Sequence, residues 1–540
     1  MTRLFIAMLA TVSLAIPTVG QAADWYRAET EHFILYSEDT RQATIEFVQD
    51  LERLDEVLRI LTGVGMDDNG LPPSAKVTVF RFGETRDMSA LLSGNRNAGV
   101  GGFFLGRAHG SFAFVPRRQD RQRVRSARER VDTAIMLDPK STLFHEYVHY
   151  FMFQHRDAPY PAWYAEGFAE LFSNVEFNED HFIIGEVPTY RSYGLSTVAI
   201  DLEDTFDPPA GGSPERVART YAHGWLIASH LNLNPDRRGQ MGAYMEAIGQ
   251  GMQPMEAAEV AFGDLEVMRQ ELEEFRRGSS RILRVPYAVQ SDPSVEIRRL
   301  DGAEEARMEL MIKSKRGVGE DGARRLVREA RDLVAQYPDD HSVLLAAAEA
   351  EFDARNYDEA EELASRALER DPQSTMAAIY YADVALRRSF EDPTQLAEAR
   401  SRFAAANRME NDHAYPLYGY YLTHLLDEGA ELPEQAKMAL EASFSYAPFD
   451  ASVRQALVHM LLLEDRPAEA RVVSGEWLLG NGSGTCLLRE KFDEFESGAR
   501  EPLLDELRPD HPGEYLDEDA RKQRREEREA EIEKYGCRAD

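Results

Sequence analysis

The chain is short of the residues that several common chemistries need. Among 540 residues there are two cysteines, Cys486 and Cys537, far apart and away from any other candidate motif. That excludes a CxxC metal site and gives no support to cysteine catalysis. In an oxidising compartment the two could pair and hold down the C-terminal tail, or stay apart; their spacing decides neither. Positive charge is also scarce: 62 Lys and Arg stand against 95 Asp and Glu, a net charge of −33. Long-range repulsion therefore argues against nucleic acid and other polyanions as partners. There is no Gly-rich phosphate loop and no nucleophile elbow. After the first twenty or so residues no apolar run approaches the length of a membrane span.

The one long apolar run is at the start. Leu4 to Val19 follows Arg3, and Gly20 and Ala22 supply small residues for cleavage. This reads as a signal peptide over residues 1–22, giving a periplasmic or secreted chain with no stable membrane span after processing.

What is present builds ordinary cores, since 43% of residues are hydrophobic and the length allows two to four domains. Trp25 to Ser37 alternates apolar and polar residues and predicts a strand. A helix follows from Thr40 to Leu61, with Val48, Leu51, Leu54, Leu58 and Leu61 at spacings of three and four, stopped by Gly63 and Gly65. Lys76 to Phe82 predicts a second strand and Gly99 to Val115 a hairpin with glycines at its bends. From Ser141 to Arg277 the pattern is mainly helical, interrupted by a polar Pro/Gly stretch at 207–214.

Beyond about residue 303 the composition turns to Ala, Leu, Glu and Arg at helical spacing. Tyr337-Pro338 and Asp371-Pro372 stand 34 residues apart, the tetratricopeptide period, and Leu344, Ala347, Ala348, Ala360 and Ala367 fall at that repeat's small or apolar positions. Three or four helical hairpins are expected, with an insertion near Ser389 to Thr394. Such an array presents a curved surface for a protein partner, or else serves as a packing platform. Glu518 to Lys534 reads as a charged helix or a solvated tail. The expected division is a signal peptide at 1–22, a first domain at 23–285, a linker at 286–302, repeats at 303–480 and a tail at 481–540.

The chemistry-bearing motif is His145-Glu146-Tyr147-Val148-His149, an HExxH sequence inside an apolar run. On a helix the two histidines share one face, so both imidazoles reach a single Zn²⁺. Glu146 then stands beside a water that the metal acidifies, and serves as general base for attack on a carbonyl. After a short turn comes Trp163-Tyr164-Ala165-Glu166-Gly167-Phe168-Ala169-Glu170. Together these segments resemble the gluzincin zinc metallopeptidases, in particular bacterial peptidase MA-like domains, in which a second helix carries a glutamate in a W-x-x-E-G-x-A context.

That resemblance makes Glu166 the third metal ligand and leaves the fourth position open. It places Glu170, one turn on, behind His145 as the partner that fixes its tautomer, in place of a plain surface role. Tyr221-Ala222-His223-Gly224-Trp225 resembles a helix that follows the zinc motif in such domains, with Tyr221 the first candidate for an oxyanion donor and His223 the second; aromatic packing behind the site is the alternative. His155, six residues after His149, is a rival third ligand of the metzincin sort, but Met152 stands where that turn needs glycine. No G-x-M-E-N sequence occurs, and the stretch from His149 to Glu166 is shorter than in thermolysin, so the likeness is to the superfamily.

The fold implied is α+β: a small mixed sheet and a helical zinc-site subdomain, followed by an all-α tetratricopeptide-like solenoid. The function implied is hydrolysis of peptide bonds in a peptide or protein substrate, with a protein partner on the repeats. The alternative is a catalytically inactive peptidase-fold scaffold for protein–protein interaction.

Overall fold

The computed structural model describes residues 24–65, 73–96, 100–118, 138–155, 158–188, 195–196, 198–208, 214–278, 282–286, 293–427, 429, 431–509 and 518–537. The expected signal peptide lies outside them. Among the described residues no helix is long and apolar enough to cross a membrane.

The first part is built on a six-stranded mixed sheet whose strands, counted along the chain, lie in the order fourth, fifth, third, second, first, ninth. The stretch expected to be one strand is an antiparallel hairpin, β1 (Tyr26–Glu29) and β2 (Phe33–Ser37). The chain reverses because the Thr30 amide donates to the Phe33 carbonyl, a local bond that an alternating pattern does not reveal. Helix α1 (Arg41–Thr62) crosses over to β3 (Val77–Glu84), which pairs parallel to β2. Its start is capped by Thr40, whose side chain accepts from the Ala43 amide, and Gly63 ends it at φ 72°. Helix α2 (Thr85–Ser93) leads to β4 (Phe103–Leu105), the outer strand, and then to β5 (Ser111–Arg118).

Both faces of this sheet are buried, and period-two alternation sorts them. Phe33, Leu35, Val77, Val79, Ala113 and Val115 join the core that α1 and α3 (Pro139–His155) complete. On the opposite face Tyr36, Phe80, Phe114 and Phe103 stack in sequence at centroid spacings of 5.6, 5.2 and 4.7 Å. Those aromatics need a cover, and Met308 and Ile312 of the helix Gly302–Arg316 provide it. Part of the segment expected to be a linker, 286–302, belongs to the sheet: β9 (Glu296–Arg299) pairs antiparallel with β1.

Helices α4 (Ala162–Ser173) and α5 (Glu203–Phe206), the long α6 (Pro214–Leu233) and α7 (Gln240–Gly249), α8 (Pro254–Phe262) and α9 (Leu265–Arg277) form the helical half. A small antiparallel sheet of β6 (Glu176–Phe177), β7 (His181–Ile184) and β8 (Leu283–Pro286) flanks it.

The repeats comprise five helix pairs among the described residues, more than the three or four expected: α10 (Gly302–Arg316) with α11 (Glu320–Gln336), α12 (His341–Asp353) with α13 (Tyr357–Arg370), α14 (Thr375–Arg388) with α15 (Leu396–Met409), α16 (Ala414–Leu425) with α17 (Glu434–Tyr446), and α18 (Ala451–Leu463) with α19 (Pro467–Ser474). The irregularity near residue 390 is an extra 3₁₀ turn at Pro393–Gln395. Arg355 and Asp465, each two residues past a first helix, both adopt positive φ (63° and 62°), so the second and fifth pairs turn in the same way.

Beyond the repeats lie α20 (Ser483–Ser497), α21 (Glu501–Leu507) and α22 (Glu518–Lys534). Cys486 and Cys537 are disulfide-bonded, and the buried Lys491 ammonium donates to Glu506 and Glu531 at 3.0 and 2.9 Å. The charged C-terminal segment is thus a docked helix.

Candidate metal centre

Helix α3 carries His145 and His149 on one face, and α4 brings Glu166 up to them. His145 Nε2 and His149 Nε2 face each other at 3.1 Å, and Glu166 Oε2 lies 3.2 Å from the first and 3.4 Å from the second. Two imidazole nitrogens that close oppose lone pair to lone pair unless a proton or cation lies between them. Glu166 Oε2 is buried and makes no well-aligned hydrogen bond. For tetrahedral zinc, ligand distances near 2.05 Å put ligand atoms about 3.3 Å apart. The three observed separations bracket that value, so the donor set fits the ion in type and in spacing. Among the described residues this trio is the one group of at least three His, Cys, Asp or Glu ligand atoms close enough together to hold a metal.

Burial alone would raise the Glu166 carboxyl, but the two imidazoles outweigh it and hold it well below the usual carboxylate range. For Glu146, burial wins and its carboxyl is raised against the pull of His145 and His149. Glu146 follows His145 directly on α3, and its charge is coupled to His145, His149 and Glu166. Glu170 is fully buried, with Oε1 3.5 Å from His145 Nδ1. It stands where a partner for the outer nitrogen of that ring would be, at a distance longer than a strong hydrogen bond.

The two oxyanion candidates part company. Tyr221 stacks toward the site, its ring centroid 6.1 Å from that of His145. His223 does not reach it. Two residues on a helix are about 200° apart, so His223 is fully buried beside Val198, Arg219 and Arg276. Burial lowers its pKa to about 4, leaving a neutral core histidine. His155 ends α3 with its ring 4.5 Å from Phe151 and stays outside the converging ligands.

Two supports of the site are not evident from the motif. The first is a glycine contact between α4 and α6. A Cβ on Gly167 would lie 2.1 Å from the Gly224 carbonyl oxygen, and one on Gly224 would lie 2.3 Å from the Trp163 oxygen. The two backbones touch there, which sets the height of Glu166 over the histidines. The available signal was the pairing of a glycine after Glu166 with one in the Tyr221 helix.

The second is a charged network behind α3. The Tyr147 hydroxyl donates to Asp55 Oδ1 at 2.7 Å, while Arg59 Nε donates to Asp55 Oδ2 at 2.5 Å. His32 bridges Glu52 at 2.7 Å and Asp55 at 3.5 Å. Burial would lower the His32 pKa, but the two carboxylates reverse this and raise it to about 9. Tyr147 lies between the two histidines of the trio in sequence, so this network fixes the rotation of the helix that presents them. Glu52 and Asp55 inside the apolar stripe of α1 were its only trace in the sequence.

The edge strand β4 runs beside α3. A Cβ on Gly102 would meet both the Phe114 oxygen and the Thr142 methyl at 3.0 Å, and the Phe104 ring lies 5.3 Å from Tyr150. The repeats reach this region as well. Phe449 packs on Tyr150 at 5.3 Å, Asp450 accepts from the Ala108 amide at 2.7 Å, and Asn481 donates to Asp207 at 2.7 Å. The array is thereby fastened to the sheet half and to α3, and the segment just after it to the helical half.

Residues 341–384 match the tetratricopeptide repeat family, and they span α12, α13 and most of α14. No curated protein matches the chain. Among solved structures, MamA (residues 41 to the end) from Desulfovibrio magneticus RS-1 is 18% identical, covering 37% of this chain and 97% of that one at a TM-score of 0.26. Yeast Tom70 is 14% identical, covering 70% of this chain and 87% of its own at a TM-score of 0.24. The family match by itself shows one tetratricopeptide repeat at 341–384.

Proposed function

We propose that the chain is an exported zinc peptidase of the gluzincin kind, with His145, His149 and Glu166 as metal ligands, Glu146 as general base and Tyr221 as the donor to the developing oxyanion. The observation that carries this reading is the 3.1, 3.2 and 3.4 Å triangle of ligand atoms. Zinc held there would supply Lewis acidity, acidifying water and polarising a carbonyl. Glu146 takes a proton and passes it to the leaving amine. Glu170 orients His145, and the outer edge of β4 offers backbone groups to an extended substrate. The disulfide between Cys486 and Cys537 agrees with an oxidising compartment.

A second reading has an observation of its own. The family match falls on the repeats alone, which favours a protein-interaction scaffold whose peptidase-like half is inert. Glu146→Gln separates the two. In the peptidase reading it keeps metal and loses hydrolysis of a peptide library by about 10²–10⁴-fold. A zinc-loaded wild type that cleaves nothing, while both forms capture the same partner, supports the scaffold.

A further inference from the structure

A second cavity lies away from the metal centre, where α10, α12 and α14 of the repeats face the aromatic side of the sheet. Its volume is about 420 Å³, within the range that holds small organic ligands. Met311, Leu345, Met376, Phe112 and Tyr380 give it a mostly apolar wall. Arg307 also lines it, is 9% exposed, and has no carboxylate within ion-pair distance among the described residues. Its Nε makes no hydrogen bond, and its Nη1 lies against the Met311 sulfur at 2.6 Å. Glu304, one turn earlier on α10, is near enough to feel its charge but pairs with Arg298 instead, and a buried guanidinium with no ion pair of its own is unfavourable.

The other charges around the cavity are engaged. Lys315 pairs with Glu349 at 2.6 Å, Lys76 with Glu29 at 2.8 Å, and Glu410 accepts from Ser74. Of the Lys and Arg side chains on the wall Arg307 alone has no ion pair among the described residues, and Glu410, held only by Ser74, is a carboxylate that faces no cation.

We propose that this cavity binds a small apolar carboxylic acid, its carboxylate paired with the fork of Arg307 and its body between the sheet and the repeats. A single guanidinium without an ion pair, with the Glu410 carboxylate on the same wall, matches a monoanion better than a phosphate dianion, and a planar guanidinium matches the two oxygens of a carboxylate. The site is independent of the peptidase reading, since none of its residues belongs to the metal centre.

The test is titration calorimetry of the full-length mature chain with hexanoate and 3-phenylpropionate, each beside its amide. At least one acid binds about tenfold or more tightly over its amide, and Arg307→Met reduces the acid to the level of the amide. His149→Ala leaves acid binding unchanged, which separates this cavity from the metal centre. Leu345→Trp fills the chamber without touching the guanidinium and abolishes binding, a second route should Arg307→Met fail to fold. Equal binding of acid and amide, no binding of either acid, unchanged acid binding in Leu345→Trp, or loss of acid binding in His149→Ala overturns the proposal.

Discussion

Tyr147 shows how a residue of no chemical role can control those that have one. It sits inside HExxH, yet its hydroxyl points away from the ligands to Asp55, and Asp55 is held in turn by Arg59 and His32. The network carries a pH signature. His32 has its folded-state pKa raised from 6.5 to about 9 by Glu52 and Asp55, with Arg59 and Tyr147 the other groups facing Asp55. A raised pKa means that the protonated ring stabilises the fold. The contribution is complete below pH 6.5 and is lost as pH rises through about 9. His32→Gln should therefore destabilise the chain at pH 6.5 and below, with a difference that shrinks toward pH 9 in chemical denaturation. A difference that grows with pH would show that the ring is buried neutral. The ligand histidines were legible because helical period alone aligns residues four apart. Asp55 and Tyr147 are 92 residues apart, and nothing local pairs them.

Between elements, the decisive contact is backbone on backbone where α4 crosses α6. Gly167→Ala would set a Cβ 2.1 Å from the Gly224 oxygen, and overpacking of that sort costs about 1–3 kcal/mol. Because Glu166 precedes Gly167, the shift should also weaken zinc binding, measured by competition with a chelator. Gly242→Ala, with nothing within 4 Å of the added carbon, should be neutral or slightly stabilising and keeps zinc affinity. Equal zinc affinity in both variants would mean that the glycine contact does not position the ligand. The sequence marked α3 and α4 through the motifs they carry within a mainly helical stretch, and the hairpin of β4 and β5 through its glycines. It hid the break between β1 and β2, because a reversal with only two residues between the bonded Thr30 and Phe33 leaves little mark on the alternation. It also misdirected His223, since a motif says which helix approaches a site but not which face.

Across the whole molecule the two halves are joined by packing and strand pairing as well as by the chain. The sheet's aromatic face is covered by α10, its outer edge beyond β1 by β9, and its β4–β5 turn by Phe449 and Asp450. The clue in the sequence was that Tyr36, Phe80, Phe112 and Phe114 occupy the face that a one-sided sheet would leave polar. A chain ending at residue 285 lacks both β9 and α10 and should be insoluble or lack fixed near-ultraviolet dichroism. A chain ending at residue 316 restores both and should be better ordered. If the shorter form folds as well as the longer, the repeats are a separate attachment.

The central claim is that three side chains from α3 and α4 form a zinc site, and metal content tests it most directly. Elemental mass spectrometry on the purified mature chain should find about one zinc per molecule in the wild type, retained in Glu146→Gln and lost in His149→Ala and Glu166→Ala. Zinc at equal stoichiometry in Glu166→Ala, or none in the wild type after reconstitution, would contradict the account.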